Sequence, residues 1–171
     1  ARQVALPQQA IDSLNSKNRE IARQAVRESM VLLKNNGSVL PVPSTDRLLV
    51  VGDHADSIAA LSGGWSLTWQ GDGTTNKDFP NGQTVFQAIN SALTAGGGQA
   101  TLKTIEELRS LIANDQALSQ LSRAYDKVIM VYGERPYAEG GGDLAELRLP
   151  NRTMAYAEAL ERLQNANIST I

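Results

Sequence analysis

The sequence predicts an α/β protein: a three-layer α/β/α sandwich of flavodoxin-like appearance, built on a mostly parallel sheet. Two apolar runs carry that prediction, RLLVVGD at 47–53 and KVIMVYGE at 127–134, together with the helical patterns that separate them. Both runs are continuous rather than alternating, as expected of strands buried on both faces, and each ends in a glycine followed by an acid. Helices must then cover both faces of the sheet.

Residues 1–16 are polar and interrupted by Pro7, and they read as a linker or lead-in to a sandwich over 17–171. In KNREIARQAVRESMVLLKNNG, Ala22, Ala25, Val26, Ser29, Met30 and Leu33 recur at steps of three and four. Arg19, Glu20, Arg23, Arg27 and Glu28 take the other faces, which predicts an amphipathic helix stopped by Gly37 ahead of Pro41 and Pro43. After the first strand, helical patterns occupy residues 83–95, closed by Gly96, Gly97 and Gly98, and 104–124. Beyond the second strand, a helix over 151–165 leads into NISTI at 167–171, which has the character of a further buried strand. A sheet edge is ordinarily covered or charged, so an apolar strand ending at Ile171 predicts a partial, truncated domain.

The length fits one domain, and 42% hydrophobic with 20% charged residues is ordinary for a chain that packs a core. Sixteen basic residues against 18 acidic ones, without a basic run, give no footprint for nucleic acid. No apolar run approaches the roughly 20 residues that span a bilayer, so no membrane partner is expected. The absence of cysteine removes disulfide frameworks, thiolate nucleophiles and cysteine-rich zinc sites. ARQVALPQQA is no signal peptide, and the residues alone assign no compartment.

In open parallel sheets, ligands gather where loops leave the carboxyl ends of strands. GDHADSIAALSGGWSLTWQGDGTT and GERPYAEGGGD both follow strands and are expected on one edge. Trp65 and Trp69, the only tryptophans, stand four apart in GGWSLTWQG, where Gly63, Gly64 and Gly71 let the backbone bend. Flat rings flanked by serine, threonine and glutamine suit the C–H face and hydroxyls of a sugar; two core tryptophans beneath a loop fit the spacing equally well. Glu134, Glu139 and Asp143 offer carboxylates, with Pro136 separating Glu134 at the strand end from Glu139 in the loop. A general acid needs burial or a like-charged neighbour to stay protonated, whereas a solvated acidic turn is the commoner use of such residues. His54, the sole histidine, is flanked by Asp53 and Asp56 and cannot alone make a metal site; loop bracing is its expected role. Ser62 and Ser66 lack a GxSxG elbow, and the glycine runs lack both phosphate-binding arrangements, so neither a metal nor a cofactor is expected.

Four segments then stand in a recognisable order: NREIARQAVRESMVLLKNNGSVLPV, VVGDHADSIAALSGGWSLTWQG, DFPNGQTVFQAI and VIMVYGERPYAEGGGD. Over most of residues 18–143 the chain resembles the second domain of glycoside hydrolase family 3, an α/β sandwich that follows a catalytic (β/α)₈ barrel. It is most similar to the β-glucosidases and exo-acting β-glucan hydrolases of that family. The resemblance implies retaining hydrolysis of β-linked glucans or glucosides, in which a barrel aspartate attacks the anomeric carbon. A glutamate of the second domain protonates the leaving oxygen and then activates water. Matching the PY-x-E-x-x-GD loop, Pro136, Tyr137, Glu139, Gly142 and Asp143 imply Glu139 as the acid/base, with Glu134 as runner-up. The GGW-x-x-x-W match implies that Trp65 and Trp69 grip the aglycone-side sugar, Trp69 as the main platform, with His54 and Asp56 as loop support. The resemblance also implies the barrel of the same parent protein as a partner and an exported enzyme, periplasmic or secreted. Without the barrel nucleophile the isolated chain is expected to be inactive. A non-catalytic glycan-binding or scaffolding domain is the alternative, since fold alone does not separate the two.

Overall fold

The computed structural model describes residues 7–146 and 151–171. The chain divides into two units, Ala1–Ser38 and Val39–Ile171. The first contains helix α1 (Gln8–Ser29), which starts behind Pro7, a residue whose fixed φ suits a helix start. The helix takes in residues 8–16, which composition alone reads as lead-in. It also ends earlier than expected, because Met30 is already extended (φ -71, ψ 133). Met30–Leu33 are four consecutive apolar residues, a run that suits an extended chain as well as one helix face. Gly37, the expected stop, lies instead in a separate 3-10 turn at φ 72.

In the second unit, β1 (Arg47–Val51) is the central strand of a parallel sheet. It is followed by a short helix α2 (Ile58–Ser62) and then α3 (Val85–Gly96). Strand β2 (Gln99–Lys103) pairs with β1 from Arg47↔Gln99 to Val51↔Lys103, and β3 (Lys127–Met130) pairs on the other side from Leu48↔Lys127 to Val51↔Met130. The order is β2-β1-β3. Beyond β3 the end of the chain pairs in parallel, with a Val128↔Thr170 bridge and N–H donation from Val128 to Ser169 O and from Met130 to Ile171 O.

Alternation along β1 builds the layers. Leu48 and Val50 pack with Leu93 of α3 and Ala100 of β2. Leu49 and Val51 face the other way, against Ile105 and Leu108 of α4 (Ile105–Leu111), Leu118 and Leu121 of α5 (Asp115–Ala124), and Tyr156 and Leu163 of α6 (Asn151–Asn165). All four β1 side chains are buried, at about 1.5–3 kcal/mol each. This is the three-layer parallel sandwich that the sequence predicts.

In the second unit, two features depart from the expected elements. The single helix over 104–124 is two helices, because Asn114 adopts an extended conformation and its side chain accepts the Ala117 N–H, capping α5. Strand β2 escapes an apolar-run criterion, since QATLK mixes polar and apolar residues. Among the named strands it pairs with β1 alone.

Candidate functional site

The connections of β1 lead to β2 on one side, while the chain returns to β3 on the other. Such a reversal of strand order opens a crevice at the carboxyl ends of the two diverging strands. Gly52 sits there at φ 129, and a Cβ on it would lie 2.0 Å from the Val131 carbonyl oxygen, so only glycine fits. Val131 N–H donates to Val51 O at 2.8 Å and His54 N–H to Val131 O at 3.3 Å, extending the pairing past the strand ends. His54 is 8% exposed, and its Nε2 lies 2.9 Å from the Glu134 carbonyl oxygen. A carbonyl only accepts, so Nε2 carries the proton and His54 braces one loop against the other.

The loop after β1 is anchored by polar side chains. Thr84 is fully buried; its hydroxyl donates to Asp56 Oδ1 at 2.7 Å and accepts the Gln87 N–H at 3.1 Å, starting α3. Asn76 accepts the Ile58 N–H and donates to Asp56 O, both at 2.9 Å. From this base the chain reaches Trp65 and Trp69. Trp65 N–H donates to Trp69 O at 2.9 Å, closing a tight turn in which Trp65 (φ 63) and Leu67 (φ 64) are left-handed. The two residues are 70% and 54% exposed, and their rings have centroids 6.3 Å apart and planes at 50°. They stand on the surface, not beneath the loop.

The loop after β3 packs directly on this turn. A Cβ on Gly64 would lie 2.2 Å from the Tyr137 carbonyl oxygen, and one on Gly71 would lie 3.1 Å from the Pro136 Cβ. Gln70 Oε1 accepts the Ala138 N–H at 2.8 Å, and Ala138 is 6% exposed. The next residue, Glu139, opens a 3-10 turn over Glu139–Gly142 at φ 51, exposed, its carboxylate without a hydrogen-bond or ion-pair partner among the described residues. Glu134 differs: its Oε2 accepts the Tyr137 hydroxyl at 2.9 Å. That hydrogen bond, and next the carboxylate charge, hold the Tyr137 phenol above its usual value.

Five described non-glycine residues have positive φ, and Trp65, Leu67 and Glu139 are three of them. Each such conformation costs about 1–2 kcal/mol, so the strain concentrates in the two loops that hold the candidate side chains. An unpartnered carboxyl group, on a loop braced against the one that carries exposed aromatic rings, has the chemistry to donate and accept a proton. It cannot also be the second carboxylate of a double displacement. Among the described residues no group of histidine, aspartate and glutamate could hold a metal ion, and no helix is long and apolar enough to cross a membrane. A cleft of about 620 Å³ is lined by Arg109, Leu118, Glu158 and Arg162 among others and gathers none of these side chains.

Sequence reasoning puts both loops on one edge, as observed, but does not single out Gln70 or the Thr84–Asp56 bond. The available signal for Gln70 was a polar residue caught between Trp69 and the buried Gly71.

Comparison with known proteins agrees with this architecture. The model of the glycosyl hydrolase family 3 C-terminal domain matches residues 30–171. A lysosomal beta glucosidase of Dictyostelium discoideum is 29% identical over 151 residues, which are 85% of this chain and 18% of that protein. A periplasmic beta-glucosidase of Salmonella typhimurium is 30% identical over 121 residues, 71% of this chain and 14% of that protein. The crystal structure of an exo-1,3/1,4-beta-glucanase from a Pseudoalteromonas species matches with a TM-score of 0.76 and 39% identity, covering 91% of this chain and 18% of that one. The chain thus spans less than a fifth of each of these relatives.

Proposed function

The chain belongs to the glycoside hydrolase family 3 C-terminal domain family, and from that premise we propose that it forms one side of the active site of a retaining β-glucosidase or exo-β-glucan hydrolase. Residues 1–16 are the lead-in from the catalytic barrel and 17–171 the sandwich part. Glu139 is the acid/base that protonates the leaving oxygen and then takes a proton from water. Trp65 and Trp69 stack on the sugar on the leaving-group side. The nucleophilic aspartate belongs to the barrel, so the isolated chain turns over no chromogenic β-glucoside. The relatives' names, lysosomal and periplasmic, favour an exported protein.

The observation that most supports this reading is the Gln70–Ala138 hydrogen bond of 2.8 Å, which joins the tryptophan turn to the residue preceding Glu139. Three side chains with two complementary tasks, stacking and proton transfer, therefore sit on mutually braced loops. Glu139 also has the freer carboxylate, since Glu134 accepts a hydrogen bond from Tyr137. Docking of the barrel supplies the burial that a general acid needs.

The test is to compare Glu139→Gln with Glu134→Gln in the full-length protein on laminaribiose. Glu139→Gln loses about 10²–10⁴-fold in turnover, the usual worth of general acid–base catalysis, and Glu134→Gln loses much less. The reverse order moves the role to Glu134. Exposed tryptophans are also what a non-catalytic glycan-binding module would present; tight binding of laminari-oligosaccharides by the isolated chain, followed by tryptophan fluorescence, would favour that second reading.

A further inference from the structure

Glu139 is held in a left-handed conformation that its own side chain does nothing to enforce. The constraint must come from its neighbours. On its N-terminal side Ala138 is buried, and the Ala138 N–H is bonded to Gln70 Oε1 at 2.8 Å. On its C-terminal side a Cβ on Gly141 would lie 2.6 Å from the same Oε1, so the turn's backbone lies directly against the Gln70 amide. Within the turn, Gly141 N–H closes back on Ala138 O at 3.3 Å. One side-chain amide thus touches the turn on both sides of Glu139. Its chain neighbours are Trp69, whose carbonyl closes the tryptophan turn, and the buried Gly71.

We propose that Gln70 is a positioning residue for the acid/base: its amide oxygen, bonded to the Ala138 N–H, sets the position of the Glu139 carboxylate relative to the tryptophan platform. The proposal rests on the assignment of Glu139 given above. Proton transfer to a leaving oxygen demands hydrogen-bond reach, and a displacement near 1 Å can cost about 100-fold. Gln70 does not touch the substrate's reacting atoms. Its effect passes through the backbone of one residue.

The experiment uses the full-length protein with three variants, Gln70→Leu, Gln70→Glu and Glu139→Ala, on two substrates. Laminaribiose needs its leaving oxygen protonated; 2,4-dinitrophenyl β-glucoside does not. Because kcat/KM reports steps up to formation of the glycosyl-enzyme, a misplaced acid lowers it for the first substrate alone. Gln70→Leu is expected to lose about 100-fold in kcat/KM on laminaribiose and only a few-fold on the dinitrophenyl glucoside. Gln70→Glu keeps an acceptor for Ala138 and recovers most of the loss. The added negative charge moves the basic limb of its pH–rate profile upward. Equal losses on both substrates, no loss on either, or a Gln70→Glu variant no better than Gln70→Leu would overturn the proposal. If Glu139→Ala retains full activity on laminaribiose, the assignment of Glu139 itself fails, an outcome distinct from the failure of Gln70 alone.

Discussion

Replacing Gly52 with alanine is expected to destabilise the sandwich strongly, for two reasons that can be summed. At φ 129 an L-residue is strained by about 1–3 kcal/mol. The new Cβ would also lie 2.0 Å from the Val131 carbonyl oxygen, so β1 and β3 must separate where their loops diverge. Separation sacrifices the Val131–Val51 and His54–Val131 hydrogen bonds, worth about 0.5–1.5 kcal/mol each. The total is about 2–6 kcal/mol. With a urea slope of about 2 kcal/mol per molar, the midpoint falls by about 1–3 M. Gly73→Ala is the control: it too has positive φ, at 66, but nothing lies within 4 Å of its added Cβ, so it costs about 1 kcal/mol. Urea denaturation followed by far-ultraviolet circular dichroism reads both. A Gly52→Ala midpoint no lower than that of Gly73→Ala would refute the close-approach reasoning.

Thr84→Val removes a cap hydroxyl that both donates to Asp56 and accepts from Gln87, so it costs about 1–2 kcal/mol in urea denaturation, with Thr84→Ser recovering most of it. The Asp126 carboxyl is held below its usual range, first by its side-chain hydrogen bond with Arg47, then by the Arg47 N–H. Stability from a lowered carboxyl is fully present above the unfolded value of about 3.9 and is lost as pH falls through the lower folded value. The urea-midpoint difference between wild type and Asp126→Asn should therefore be constant near neutrality and shrink only below about pH 4. For Tyr137, the carboxylate of Glu134 opposes formation of the phenolate. In a spectrophotometric titration, Glu134→Gln should move one tyrosine to lower pH, and an unchanged curve would contradict the Tyr137–Glu134 bond.

The parts of the fold that the sequence makes legible are those with a strong apolar pattern. β1 and β3 are read directly from continuous apolar runs because their successive residues pack into the clusters on both sides of the sheet, and α3 and α6 from helical spacing. β2 is missed because QATLK carries only a partial apolar signal. The break between α4 and α5 is a local cap at Asn114 interrupting a pattern whose periodicity continues across it. At α1, the apolar Met30–Leu33 run extends the helical pattern past the true end of the helix. The site divides along similar lines. That both loops share an edge follows from the parallel sheet, and the residue types at 65, 69 and 139 are visible as motifs. The exposure of the tryptophans is not, since the same spacing fits a core pair. Nor is Gln70–Ala138, a bond between residues 68 positions apart that exists only once β1 and β3 lie side by side.

The role of Glu139 is tested most directly by chemical rescue. In the full-length protein, Glu139→Ala with 2,4-dinitrophenyl β-glucoside should form the glycosyl-enzyme but hydrolyse it slowly, for want of a base to activate water. Azide needs no base and fits the space left by the carboxylate. Its addition should therefore restore turnover and yield β-glucosyl azide, with the anomeric configuration retained. Full hydrolysis without azide, no acceleration by azide, or an α-configured product would contradict Glu139 as the acid/base.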